Sequence, residues 1–342
     1  MPSARRVRRA LVAAAAPAPF ADARVIGLPR ALMTYRLGAK WRAFFEELGR
    51  EVRVSEPSDR GVFERGQALS VDECCLASKL FLGHVDALAG EVDAVFVPSL
   101  SGSDALHTYC TKFQALPDLV RSAFALAGRE VRVLDALLAE GGAEKDERAS
   151  YVELAARLGA TRREGERAWR AACRAQRDRD ASLARAQAEL VAASSRLPRT
   201  ERPLAILVAA HPYVAHDPFV AGPVTDALRA AGATVLFADE FDHARATRRS
   251  YDFSATLPWI VNRELVGAVL ELHDAVDGIV LVSAFPCGPD SMTDDAIALC
   301  VKGRPVLTLT VDAQSGTAGV ETRVESFVDI LTYQRRGGYL NG

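Results

Sequence analysis

Cysteine is scarce in this sequence, with six among 342 residues, at positions 74, 75, 110, 173, 287 and 300. They are too few and too scattered for a disulfide scaffold, and none has the short paired spacing of a zinc ribbon, so a reducing cytoplasm is the expected compartment. Neither sign of charge dominates. Lys and Arg total 42 against 44 Asp and Glu, a net charge of -2, so no bulk attraction to nucleic acid or to an anionic membrane is expected and any partner is recognised locally. No apolar run approaches the ~20 residues of a membrane span. The phosphate-binding patterns G-x-G-x-x-G after a strand and G-x-x-x-x-G-K-[ST] are both missing, which argues against a classical dehydrogenase and against a P-loop ATPase.

What is present is the composition of a folded protein, 49% hydrophobic with 24 Gly and 16 Pro. The length exceeds the ~250 residues at which single cores stop growing, so two domains are expected. Arg5, Arg6, Arg8 and Arg9 ahead of the run Ala10 to Ala16 imitate a signal peptide, but Pro17, Pro19 and the weak alanine core favour a flexible basic tail over residues 1–23. Residues 24–136 read as a first α/β lobe, with strands over 24–27, 51–55, 94–98 and 130–133 and helices over 32–47, 73–88 and onward from 116. Residues 137–200 are loaded with Ala, Arg and Glu and predict a helical insert or connector whose arginines form a solvated face. Residues 201–342 resume the alternation as a second α/β lobe. Short apolar strands without polar alternation predict mostly parallel sheets covered on both faces, hence two Rossmann-like or flavodoxin-like lobes.

In such sheets ligands bind beyond the C-terminal strand ends, and three cysteines fall in loops of that kind. Cys75 follows Ser70 and Glu73, whose capping-box spacing predicts that it lies in the first turns of a helix. Cys110 sits beside His107, Tyr109 and Lys112, while Cys287 precedes Ser291 and Thr293, either of which could cap the next helix. All three positions favour a thiolate through backbone N–H groups and positive helix ends. Cys74, Cys173 and Cys300 read as packing residues. The chemistry alone leaves two readings: three sulfurs holding an iron–sulfur cluster with one iron not ligated by cysteine, or three unrelated loop thiols. A nucleophilic Cys110 activated by His84 or His107 lacks a third orienting residue at recognisable spacing.

Four segments occur in order: Ile26 to Leu32, Cys75 to Lys79 with His84, Tyr109 to Pro117, and Phe285 to Met292. As a set they resemble the acyl-CoA dehydratase activase-related proteins of the wider 2-hydroxyacyl-CoA dehydratase (2-hydroxyglutaryl-CoA dehydratase component) superfamily, over most of residues 24–336 apart from the insert. The resemblance implies α/β lobes enclosing an iron–sulfur site, a [4Fe-4S] cluster or a linked double cubane, with Cys75, Cys110 and Cys287 as metal ligands. It also implies a separate ATPase of the actin/Hsp70/sugar-kinase type as electron donor, an acyl-CoA-like substrate for reduction or dehydration, and a homologous subunit as a further partner. Ala210-His211-Pro212-Tyr213 with Asp217 is similar to a family motif written with Arg-Pro-Tyr, so His211, Tyr213 and Asp217, together with Ser291, are candidates for the surroundings of the cluster. Ala313 and Thr317 stand where related chains are often acidic. The alternative is a cluster-free, two-lobed ligand-binding or scaffold subunit for the same kind of ATPase.

Overall fold

The computed structural model describes residues 18–102, 107–198, 201–312 and 317–337. The expected basic segment over residues 1–17, and Ala313 and Gln314, lie outside the described residues, as does the side chain of Thr317. Of residues 18–23, expected as part of the tail, Phe20 and Ala23 are packed into the first lobe. Phe20 is buried beneath the guanidinium groups of Arg132 and Arg157, 4.9 and 5.3 Å from its ring centre.

The first lobe is a four-stranded parallel sheet of order β2-β1-β3-β4, built from β1 (Val25–Leu28), β2 (Glu51–Val54), β3 (Ala94–Leu100) and β4 (Val133–Leu138). The second repeats that order as β6-β5-β7-β8, from β5 (Ala205–Ala209), β6 (Thr234–Phe237), β7 (Gly278–Ala284) and β8 (Val306–Val311). Every residue of β5 and β7 is buried, because helices cover both faces of a parallel sheet. The two-lobed parallel architecture expected from the sequence is therefore present.

Within it, β4 lies at Val133–Leu138, several residues beyond the expected strand, and residues 137–138 close it rather than open a helical insert. Its Leu and Ala favour helix by propensity, but six consecutive pairings with β3, from Val95 with Val133 to Leu100 with Leu138, override that preference. The first helix, α1 (Thr34–Glu47), buries Leu37, Trp41, Phe44 and Phe45 at helical spacing against Phe96 of β3. The same stripe buries Lys40, whose Nζ lies 2.6 Å from carboxylate oxygens of both Glu140 and Glu147.

A short helix absent from the sequence reading, α2 (Arg60–Ala68), is capped by the Asp59 carboxylate accepting from Val62 N at 2.7 Å. It lies against α3 (Leu76–Leu88) at glycine contact: a Cβ on Gly83 would stand 1.9 Å from Val62 O, and one on Gly66 1.7 Å from Lys79 O. Two helices, α4 (Thr111–Gln114) and α5 (Leu116–Leu126), lead from β3 to β4, and α6 (Glu144–Arg157) follows β4. The 34-residue α7 (Arg162–Ser195) opens with a capping box between Thr161 and Glu164 and buries Ala168 and Ala172. It then passes to the second lobe, where Gln187 Oε1 accepts from Phe237 N on the outer strand β6 at 2.7 Å. Outer strands elsewhere are met similarly, by Arg323 on Thr308 O of β8 at 2.9 Å and by Arg157 on Asp135 O of β4.

A continuous polar chain joins the lobes. Asp217 of the second lobe accepts from Tyr35 Oη at 3.0 Å and from Ser58 Oγ. Since Ser58 donates to Asp217, it accepts from His84 Nε2, 2.9 Å away, and His84 Nδ1 accepts from Ser55 Oγ at 2.9 Å. Ser55 Oγ in turn accepts from Arg30 N at 2.8 Å, so the directions agree along the whole chain and fix His84 as the neutral Nε2–H tautomer. Burial, reinforced by the Arg30 charge, pushes the His84 pKa down to about 4. Alongside, Arg36 grips Glu264 through both guanidinium nitrogens, one at 2.8 Å.

Two outcomes follow for stability. Gly83→Ala should lower it by about 1–3 kcal/mol in denaturant titration, because backbone on both sides must move, whereas Gly222→Ala, which meets nothing closer than Pro218 Cβ at 3.9 Å, should be neutral or mildly stabilising. A histidine with a depressed folded-state pKa contributes stability in full above its unfolded value near 6.5 and loses it as pH falls toward 4. Wild type should thus lose up to about 3 kcal/mol between those limits, at roughly 1.4 kcal/mol per pKa unit, relative to His84→Gln measured in parallel. Asp217, whose pKa burial raises, acts with the opposite sign and is common to both proteins.

Candidate functional site

In each sheet the chain reverses direction between its first and third strands, and the crevice beyond the strand ends at such a switch point is where open α/β sheets place ligands. The two lobes set these crevices face to face. From the first lobe, the loop after β3 brings Tyr109 and Cys110, and it is pinned to the second lobe by Thr108 N donating to Pro258 O at 2.7 Å and Ile260 N donating to Thr108 O at 2.9 Å. Cys75 stands immediately before α3, anchored by Leu76 N donating to Phe285 O at 2.9 Å. From the second lobe, His211 follows β5 and precedes the single turn α8 (Pro212–Ala215), and Cys287 follows β7 and precedes α12 (Gly288–Cys300). Between these two segments of the second lobe the chain forms α9 (Gly222–Ala230), α10 (His243–Arg249) and α11 (Ile260–Leu272); α13 (Thr317–Arg335) ends the described fold.

Cys75, Cys110, Cys287, Tyr109, His211 and Tyr213 line one cavity of about 70 Å³, with apolar walls from Leu32, Phe113, Trp259 and Val261 and with Lys112 also on its lining. By the measure in which one water needs roughly 10–15 Å³, it holds only a compact occupant. Leu32 reaches its wall from a left-handed backbone, φ +48, rare for a branched side chain. Cys75 Sγ lies 3.1 Å from Ser78 Oγ. His211 is buried, its Nδ1 2.9 Å from Asp290 Oδ2, and Asp290 Oδ1 accepts from Asn262 Nδ2 at 3.1 Å. The Tyr213 ring stacks on the imidazole, 5.0 Å between centres and 8° from parallel.

Burial dominates the electrostatics. It pushes the Cys287 thiol well up, with Asp290 adding to the effect, so the expected helix-end stabilisation of a thiolate does not prevail there. It raises the Tyr109 and Tyr213 phenols likewise. For His211 burial opposes the charged form, but the Asp290 carboxylate outweighs it and the pKa is raised. Asp294, half-buried near Asp290, is raised to about 7 by desolvation and that neighbouring carboxylate.

Of the residues singled out in the sequence, Cys75, Cys110, Cys287, His211 and Tyr213 meet at the cavity. Asp217 does not line it; it is the carboxylate of the lobe-joining chain. Ser291 is exposed, its hydroxyl turned back on Gly288 O at 2.9 Å, and Thr293 bonds Pro289 O at 3.1 Å, so neither caps α12. Ser70 bonds Gln67 O at 3.3 Å rather than capping, and α3 starts after Cys75. His84 is spent on Ser55 and Ser58 and is not a base for Cys110. Cys74 is buried as expected; Cys300 is exposed at the end of α12, contrary to expectation, because Ile297 and Val301 take the buried face. Cys173 is half-buried, and desolvation raises its pKa to about 11. The sequence reading missed Asp290 and Asn262. Asp290 lies one helical turn past Cys287, a detectable signal, whereas Asn262 comes from a separate helix.

No helix among the described residues is long and apolar enough to cross a membrane. No curated protein matches the chain. Among solved structures, it is similar to a Mn-bound periplasmic metal binding protein from Candidatus Liberibacter asiaticus, at 9% identity and TM-score 0.23, covering 90% of this chain and 99% of that one. It is also similar to the C-terminal domain of glucosamine-fructose-6-phosphate aminotransferase from Francisella tularensis, at 9% identity and TM-score 0.23, covering 97% and 87%. Likeness at these TM-scores carries no argument. The model of the CoA enzyme activase uncharacterised domain matches residues 25–241, well over half of the sequence and spanning both the first lobe and the His211 segment, and the chain belongs to that family.

Proposed function

We propose that Cys75, Cys110 and Cys287 hold an iron–sulfur cluster and that the chain is an electron-accepting component of a CoA-linked enzyme system in a reducing compartment. The observation that carries this reading is the convergence of three cysteines, from three loops and two lobes, on one small apolar-walled cavity. Thiolates are the donors such clusters take, and a metal deprotonates a coordinating thiol outright, which overrides the burial that keeps Cys287 protonated. When bound, the group supplies one-electron chemistry at low potential.

The chain's own residues prepare the cavity for that role. Leu32, Phe113, Trp259 and Val261 give it apolar walls, and burial holds the Tyr109 and Tyr213 phenols in their protonated form. The Thr108 pairing and the Leu76 to Phe285 bond hold the Cys110 and Cys75 loops against the second lobe. Family membership supports the link to a CoA enzyme; an acyl-CoA-like substrate and a separate actin/Hsp70/sugar-kinase-type ATPase as donor complete the proposal. A second reading, a cluster-free ligand-binding or scaffold subunit for that ATPase, is favoured by the desolvation that pushes the half-buried Cys287 thiol toward its protonated form.

Protein purified without oxygen should carry about four irons and matching acid-labile sulfide per chain, with a visible band bleached by a strong reductant. Cys75→Ser, Cys110→Ser and Cys287→Ser should each lose or convert the cluster, while Cys173→Ser and Cys300→Ser keep it. Folded, iron-free protein that resists reconstitution would sink this reading in favour of the second.

A further inference from the structure

We propose that His211 is the fourth protein ligand of the centre, an inference that rests on the iron–sulfur reading above. Three features point to it. His211 takes the position that Cys75 and Cys110 take, the residue just before a helical turn. Its backbone angles, φ -55 and ψ 144, nearly repeat those of Cys110, -52 and 139, and of Cys75, -63 and 150. None of these side chains bonds back to cap its own helix, and each lines the cavity. With Cys287, each lobe then contributes two donors.

The second feature is orientation. A metal-bound imidazole characteristically donates its other N–H to a carboxylate, which fixes the tautomer. His211 Nδ1 lies 2.9 Å from Asp290 Oδ2, so with the proton on Nδ1 the nitrogen offered to a metal is Nε2, and Asn262 holds Asp290 in turn while the Tyr213 ring stacks on the imidazole. The third is proximity: His211, Cys287 and Asp290 each offer a donor atom within 4.8 Å of the others. Asp290 is committed to His211 and Asn262, and its hard oxygen suits iron in a sulfide cluster less well than imidazole does. The consequence is a closed Cys3His set. Substrate then has no open iron to bind, and the chain passes electrons onward instead of activating substrate at the metal.

The test is made on the full-length chain, reconstituted with ferrous iron and sulfide without oxygen. Wild-type protein in the reduced state should show a directly bonded nitrogen in pulsed electron–nuclear spectra, and its paramagnetic signal should not move on adding cyanide. His211→Ala should keep iron, lose that nitrogen coupling, become cyanide-sensitive and shift to lower reduction potential, as expected on losing an imidazole ligand. His211→Cys should keep the cluster without the nitrogen signal, and Asp290→Asn should bind metal about 10- to 100-fold more weakly. Should His211→Ala not fold, the wild-type spectra decide alone. A cyanide-induced shift in wild type, or the lack of a bonded nitrogen, overturns the proposal. One zinc per chain, lost in His211→Ala, keeps His211 as a ligand but overturns the iron–sulfur reading. A folded chain that takes up no metal overturns both.

Discussion

The Asp217 carboxylate, buried between the lobes, is the contact on which the site depends. It receives Tyr35 and Ser58 from the first lobe and the backbone amides of Phe219 and Val220, at 2.9 and 3.2 Å, from its own. Leaving such a group partly unpaired in a dry interior is costly, so the lobes have one favourable apposition in which every donor is used. The paired guanidinium and carboxylate of Arg36 and Glu264 impose the same alignment from an adjacent point. Neither lobe contains the cavity. Its cysteines come together where these contacts, with the Thr108 and Leu76 backbone bonds, set the strand ends of one lobe against those of the other.

The electrostatic state of the cavity follows from its walls. Apolar side chains surround a few sulfur, phenol and imidazole groups, and desolvation is the first cause of the shift at Cys287, Tyr109 and Tyr213. A site of this kind resists carrying charge unless something supplies a compensating one. On the iron–sulfur reading proposed above, a compact, positively charged occupant supplies that compensation to several anionic sulfurs at once.

The cysteine loops were legible because a parallel sheet leaves few places for reactive residues, and Cys110 and Cys287 both follow strands whose apolar runs are unmistakable. The polar partners were harder to place. Asp217 sits a few residues from His211 in the chain yet faces the opposite way, because α8 turns the backbone between them and long-range bonds to Tyr35 and Ser58 claim it. Asn262 reaches Asp290 from a helix with no local mark of a site. The extent of strand β4 and the whole of helix α2 escaped for complementary reasons: the first is written in helix-forming residues, and the second carries two glycines, Gly61 and Gly66, that lower helix propensity but permit contact with α3.

The side chains that meet the outer strands have a bearing on how this protein coexists with its neighbours. An open parallel sheet ends in a row of backbone donors and acceptors that any extended chain can extend. Gln187 occupies an amide of β6, Arg323 a carbonyl of β8 and Arg157 a carbonyl of β4. Three of the four sheet margins are thus partly spoken for by the chain's own side chains. Two lobes with four exposed sheet edges would otherwise be well suited to unintended polymerisation, and the long helix that links them helps to prevent it.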